Sequence, residues 1–227
     1  MLALRHHEIS PALNPTGEDL LDRTVRPFKI WVPAEKCIVV GNSQAPEKEV
    51  VSERVAADRL PVFKRMGGGG AVLLSPGCLC VALRFAKKKS ATIQDYFGLG
   101  SDLIRRAVAL ATGLDLEARG ISDLAIWGRK VVGCSLYMPR EFVLYLASVL
   151  VNPDMAEIDR YLAHPSQEPD YRAGRTHRDF LVGLKEMTGE DLAPETLAHY
   201  VEAEISRTLT NELDWELASP TRLPIST

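Results

Sequence analysis

Short apolar runs alternate with stretches of helical period along this chain, and that alternation predicts an α/β protein. Cys37–Val40 is a compact apolar run closed by Gly41-Asn42, which predicts a buried strand. Glu47 to Arg59 places Val51, Val55 and Ala56 on one side and predicts a helix that Pro61 ends. Leu60–Phe63, Ala71–Leu74 and Leu79–Leu83 predict three more strands, with Pro76-Gly77 turning the chain between the last two. In Ser101 to Thr112, Leu103, Ile104, Ala107, Val108 and Ala111 form one apolar helix face. Ser101 is the expected N-cap and Gly113 the terminator. Asp123 to Gly133 predicts a hairpin with Gly128-Arg129 as the central turn residues. Simple alternation on its return strand puts Lys130, Val132 and Cys134 on one face and Val131, Gly133 and Ser135 on the other. Phe142 to Val151 predicts another buried strand. From Pro194, the four-residue recurrence of Leu197, Val201, Ile205 and Leu209 predicts a second amphipathic helix.

Composition narrows the class. The chain has 227 residues, 46% hydrophobic, enough for a full core without disulfides or structural metal. Its length predicts one main domain over residues 1–185 with a helical extension over 186–227 packed on it. Lys+Arg 27 against Asp+Glu 30 gives a net charge of -3, so no bulk positive field argues for nucleic acid. The longest apolar run, Phe142 to Val151, falls short of the about 20 residues of a spanning helix. The N-terminus lacks the layout of a secretory signal. Cys37, Cys78, Cys80 and Cys134 are irregularly spaced and read as free thiols in a reducing, cytoplasmic setting. Cys78-x-Cys80 has no second pair at zinc spacing, and His6-His7 reads as a solvated terminus, so no metal site is expected.

The unusual stretch is Lys64-Arg65-Met66-Gly67-Gly68-Gly69-Gly70-Ala71-Val72. Four consecutive glycines between strands lose much backbone entropy on ordering. They suit a loop whose main chain approaches a ligand and whose N–H groups form an anion nest. Arg65 adds a planar donor for phosphate or carboxylate. The Walker pattern is excluded because Ala71-Val72 follows the glycines. The dinucleotide fingerprint is excluded because a strand, not a helix, comes next. Lys130, at the start of the return strand, is the second candidate. The run Arg172, Arg175, His177, Arg178 is either solvated surface or a loop that meets a ligand or an acidic partner.

Three segments in order resemble the lipoate–protein ligase and octanoyltransferase family. They are Gly41-Asn-Ser-Gln44-Ala-Pro-Glu-Lys-Glu49, Arg65-x-Gly-Gly-Gly-Gly-Ala71-Val72 and Asp123-Leu-x-x-x-Gly128-Arg-Lys130-x-x-Gly133. Pro27-Phe-Lys-Ile-Trp31 is similar to the family's early strand, and the likeness covers roughly residues 10 to 185. The resemblance implies a mixed sheet flanked by helices, shared with biotin–protein ligases; ligases of this family commonly carry a large C-terminal accessory domain, and the stretch after Leu184 is too short for one, so none is expected here. It implies ATP-dependent activation of lipoate or octanoate as an acyl-adenylate, then transfer to a lysine of a lipoyl carrier protein. Mg²⁺ would accompany ATP. Lys130 and Arg65 would be catalytic. Gly68, Gly69, Gly70, Ala71, Val72, Asp123 and Lys130 would bind the nucleotide. Arg65, Leu74, Val132, Gly133, Cys134 and Ser135 would contact the acyl substrate, with Val72, Leu74 and Val132 as walls of an apolar tunnel. Burying about six methylenes there gives roughly 5 kcal/mol.

Two histidines of the family pattern are absent: the glycine loop continues Ala71-Val72-Leu73-Leu74, and the later strand is Leu146-Ala147-Ser148-Val149-Leu150. A separate chain could supply the accessory domain that many of these ligases carry. One alternative is an ATP-independent octanoyltransferase that draws on acyl carrier protein and uses Cys134 as nucleophile. The other is a non-catalytic lipoyl-binding module.

Overall fold

The computed structural model describes residues 15–22 and 26–211. A short 3-10 turn, Glu18–Leu21, precedes β1 (Phe28–Trp31) and β2 (Cys37–Val40). The chain continues through α1 (Pro46–Glu49), α2 (Ser52–Ala57), β3 (Val62–Lys64), β4 (Ala71–Leu74) and β5 (Cys78–Ala86). Next come α3 (Ile93–Thr112), β6 (Glu117–Arg119), β7 (Asp123–Ile126), β8 (Arg129–Tyr137) and β9 (Phe142–Leu150). The remainder is α4 (Met155–Tyr161), α5 (His177–Phe180), α6 (Leu184–Thr188) and α7 (Pro194–Asn211). The expected α/β architecture, sheet flanked by helices, is present. Its strands divide between two sheets. The larger has order β1-β5-β9-β8-β7-β6 and is antiparallel throughout. The smaller, β3-β2-β4, is mixed: β2 runs parallel to β3 and antiparallel to β4.

Period-2 patterning decides which face of the large sheet is covered. Val143, Tyr145 and Val149 of β9 enter one core with Ile104, Ala107 and Val108 of α3 and Leu197, Val201 and Ile205 of α7. The three α7 side chains are fully buried. At about 1.5–3 kcal/mol for each such side chain, α7 is part of the main core. The side chain of Leu209 and the His6-His7 pair lie outside the described residues. On the opposite face of β5, Cys80 packs with Cys37, Val39, Phe63 and Leu74 of the small sheet.

Three local expectations are corrected. Helix α3 starts at Ile93, not at Ser101. Thr92 caps it in a reciprocal box with Asp95, while Ser101 is buried inside the helix. Gly98 and Gly100 hid the first two turns from a propensity argument. Gly100 is needed there because a Cβ would sit 2.7 Å from the Tyr145 ring. The single helix expected over Glu47–Arg59 is two, because Val50 bridges Leu162 and the Val51 amide donates to the Tyr161 carbonyl. The hairpin turn is Trp127-Gly128, one residue early, with φ of 48° and 73°. Two successive positive φ values make this a type I′ turn, whose twist matches the flanking strands.

Candidate active site

The glycine loop joins β3 to β4 and is held from below. Arg65, 9% exposed, donates from Nε and Nη2 to the Gly68 carbonyl (3.1 and 2.7 Å). Its Nη2 also reaches the Gly70 carbonyl (2.9 Å), and Nη1 reaches that of Val39 (3.2 Å). Burial pulls the Arg65 guanidinium down to about 10, against the upward influence of Glu49, and it stays cationic at neutral pH. Arg65 borders the cleft, but its planar fork is spent on main-chain carbonyls. The turn after β2 clamps the same loop. The Gly41 amide donates to Gly70 and the Asn42 amide to Gly67. A Cβ on Gly41 would lie 1.8 Å from the Gly69 oxygen, so only glycine permits this approach.

Lys130 stands across from that loop on β8. A bulge sets its direction. Leu124 pairs with Val132 but Ala125 pairs with Lys130, leaving Val131 as the extra residue. Val131 and Val132 therefore both enter the core beneath α3, and Lys130 shares a face with Gly133. This corrects the alternation that grouped Lys130 with Val132 and Cys134. The Lys130 ammonium lies 2.7 Å from Asp123 Oδ1. A Cβ on Gly133 would meet its Cε and Nζ at 3.0 Å, so the bare Gly133 gives the side chain room. The Tyr171 hydroxyl donates to Asp123 Oδ2 at 2.9 Å.

One cleft of about 720 Å³ connects these groups. Gly69, Gly70, Ala71 and Val72 border it on one side, and Asp123, Lys130, Gly133 and Ser135 on the other. Trp31, Val39, Leu74, Cys80, Leu146 and Leu150 give it apolar wall. Both positions where the family pattern carries histidine, Leu74 and Leu146, are on that wall. Gly68 is exposed and Val132 is buried in the core, paired with core-facing Leu124, and neither borders the cleft.

Cys134 also borders the cleft. Its thiol is 2.9 Å from the Tyr145 hydroxyl and 4.0 Å from Ser101 Oγ, on the α3 side of the sheet. Burial pushes this thiol up to about 11, so it is protonated at neutral pH. Alkylation of Cys134 in the native protein, followed by mass spectrometry, is expected to be slow at neutral pH and to accelerate only as the pH approaches 11. Rapid modification at neutral pH would reveal an activated nucleophile.

The basic run is not a solvated face. Arg172 is 5% exposed, lies 4.9 Å over the Phe180 ring and pairs with Glu168. Arg175 donates to the carbonyls of Gly128, Tyr171 and Arg172. Arg178 alone of the four is well exposed. Burial first, then Arg172, pulls the His177 imidazole down to about 4, opposed by Asp159. Between about 4 and the ordinary value near 6.5, the unfolded chain binds a proton that the native imidazole refuses. Stability is therefore expected to fall as pH drops through that window. His177→Gln should flatten this part of the slope, as measured by urea unfolding at several pH values.

Glu49 and Gln44, letters of the first motif segment, also border the cleft. Glu49 is 2% exposed beside the loop, with Oε2 3.4 Å from a Cβ placed on Gly70. It accepts from the Ser166 amide at 3.3 Å and from the Ser166 hydroxyl, which also bonds Gln44 at 3.1 Å. Tyr171, directly before the basic run, belongs to none of the three motif segments.

The profile of the family described as lipoyl protein ligase A/B catalytic domain matches residues 19–206, from the first 3-10 turn through most of α7. The chain belongs to this family. Among curated proteins, the catalytic domain is 30% identical over 127 residues to a probable lipoate-protein ligase A of Mycoplasma pneumoniae, covering 55% of this chain and 36% of that protein. The corresponding protein of Mycoplasma genitalium is 27% identical over 165 residues, covering 67% and 48%. The chain thus spans half or less of the curated relatives it matches. Among solved structures, the bi-partite lipoate protein ligase of Thermoplasma acidophilum superposes with a TM-score of 0.71 at 18% identity, over 85% of this chain and 76% of that one. A lipoate-protein ligase A bound with ATP gives 0.70 at 18%, over 85% and 78%. At such identities these neighbours establish the fold. Among the described residues, no helix of this lipoyl ligase domain is long and apolar enough to cross a membrane.

Proposed function

We propose that this domain activates lipoate or octanoate with ATP as an acyl-adenylate and passes the acyl group to a lysine of a lipoyl acceptor protein. The observation that carries the proposal is the cleft itself. A glycine loop braced by its carbonyls faces an Asp123-held ammonium, with an apolar wall running from both. The loop's fixed bonds use its oxygens, which leaves its amides for phosphate. In the first step a carboxylate oxygen attacks the α-phosphorus and pyrophosphate leaves. In the second the acceptor amine attacks the acyl carbonyl and AMP leaves. Lys130 is suited to both steps, because negative charge develops on phosphoryl and then carbonyl oxygen beside its ammonium. Mg²⁺ enters with the nucleotide as part of the substrate. Among the described residues no group of three or more His, Cys, Asp or Glu could hold a metal ion.

The solved relative from Thermoplasma acidophilum is described as bi-partite, together with its E2 lipoyl domain. This supports a separate accessory chain, and a lipoyl domain as acceptor, for the present protein as well. The test is mass spectrometry of an apo lipoyl domain incubated with this protein, lipoate or octanoate, and MgATP, with and without an accessory chain. A mass gain that requires ATP is expected. A gain only from octanoyl carrier protein, without ATP, would identify the transferase. No gain under any of these conditions would leave a binding module.

A further inference from the structure

We infer that Tyr171 is a positioning residue for the reaction, acting on Lys130 through Asp123; the inference rests on the role given to Lys130 above. Asp123 has two acceptor oxygens and the structure uses each for one partner. Oδ1 faces the Lys130 ammonium at 2.7 Å and Oδ2 takes the Tyr171 hydroxyl at 2.9 Å. The Asp123 side chain is 8% exposed, so water cannot replace a lost donor freely. A carboxylate with one donor can rotate or trade oxygens. A carboxylate pinned from both sides holds the ammonium at one point. The tyrosine is thus placed to remove the rotational freedom of the group that holds Lys130.

Tyr171 is itself fixed at its ring and at its carbonyl. Its ring packs on Phe180 at 5.0 Å between centroids. Its carbonyl accepts from Arg175 Nη2 at 2.7 Å, and the same nitrogen reaches the Gly128 carbonyl in the hairpin turn at 2.9 Å. Beyond α5 the chain returns to the hairpin, where the Val182 amide donates to the Lys130 carbonyl at 2.9 Å. Residues 171–182 thus grip both ends of Lys130, its main chain at Val182 and its ammonium through Tyr171 and Asp123. A misplacement of about 1 Å at a reacting group can lower a rate a hundredfold, so this grip bears on turnover more than on substrate affinity.

The test compares Tyr171→Phe with wild type in ATP–pyrophosphate exchange driven by lipoate, on the full chain. Phe keeps the ring against Phe180 and removes only the hydroxyl. The expected result is a fall in kcat of about tenfold, with KM for ATP and lipoate within twofold. In an Asp123→Asn background the same change should have no further effect, because the hydroxyl acts only through that carboxylate. Fluorotyrosine at 171, which keeps the donor, should retain at least half of the wild-type kcat and covers the case in which the Phe variant fails to fold. An unchanged kcat in Tyr171→Phe, an equal loss in the Asn background, or a fluorotyrosine protein as slow as Tyr171→Phe would overturn the inference. Lys130→Ala separates this from the underlying role. If that variant keeps full exchange, the role of Lys130 itself has failed; if it is inactive while Tyr171→Phe is normal, only the positioning role has.

Discussion

Lys130→Ala is expected to lower lipoate-dependent ATP–pyrophosphate exchange by about 10²–10³-fold, the loss seen when one preorganised donor to developing oxyanion charge is removed. Stability should also fall. Asp123 stays buried with Tyr171 as its remaining donor, and a stranded carboxylate costs about 1–3 kcal/mol. A second substitution divides the two effects. Lys130→Ala combined with Asp123→Asn removes the uncompensated charge, so the melting temperature should recover toward wild type while exchange stays lost. Recovery of both would place Lys130 in the scaffold and remove it from the chemistry. Calorimetry and the exchange assay on the three proteins decide the matter.

Arg65→Ala is expected to fail differently. The sequence placed this cation against the ligand; the structure places it under the loop, with its four donor contacts on the carbonyls of Val39, Gly68 and Gly70. Hydrogen bonds from a charged donor contribute about 1.5–3 kcal/mol each in mutational series, though not additively. A net loss of about 3–5 kcal/mol follows once the loop relaxes, or about 10 °C in Tm for a domain of this size. Activity should fall with stability, because the Gly69 amide shares a peptide plane with the Gly68 carbonyl and loses the anchor that orients it. Arg65→Lys should rescue little, since a point ammonium cannot span three carbonyls. An Arg65→Ala protein that melts like wild type but binds ATP poorly would restore Arg65 to direct ligand contact. Thermal melts paired with ATP titration read both quantities.

The strands were legible because the local signal and the tertiary demand coincide. Cys37–Val40 and Ala71–Leu74 are apolar runs bounded by glycine or proline, and both are strands at those bounds. The first two turns of α3 were not legible. Gly98 and Gly100 argue against helix by propensity, and Gly100 is tolerated because the Tyr145 ring lies where its side chain would be. Lys130 and Asp123 could be paired from the hairpin motif, but the face of Lys130 could not. A bulge inverts alternation, and no residue type announces one.

The chain's own letters determined the family, most of the strands, the apolar faces of the two longest helices and the two segments that border the cleft, since each depends on neighbours within a few positions. Tertiary structure alone decided that Arg65 serves the loop from beneath, that Val132 belongs to the core, and that Tyr171 reaches Asp123 across 48 residues. Those outcomes depend on which distant groups share a buried volume. An unpaired donor or carboxylate there is too costly to leave, and only the assembled fold shows which partner takes it.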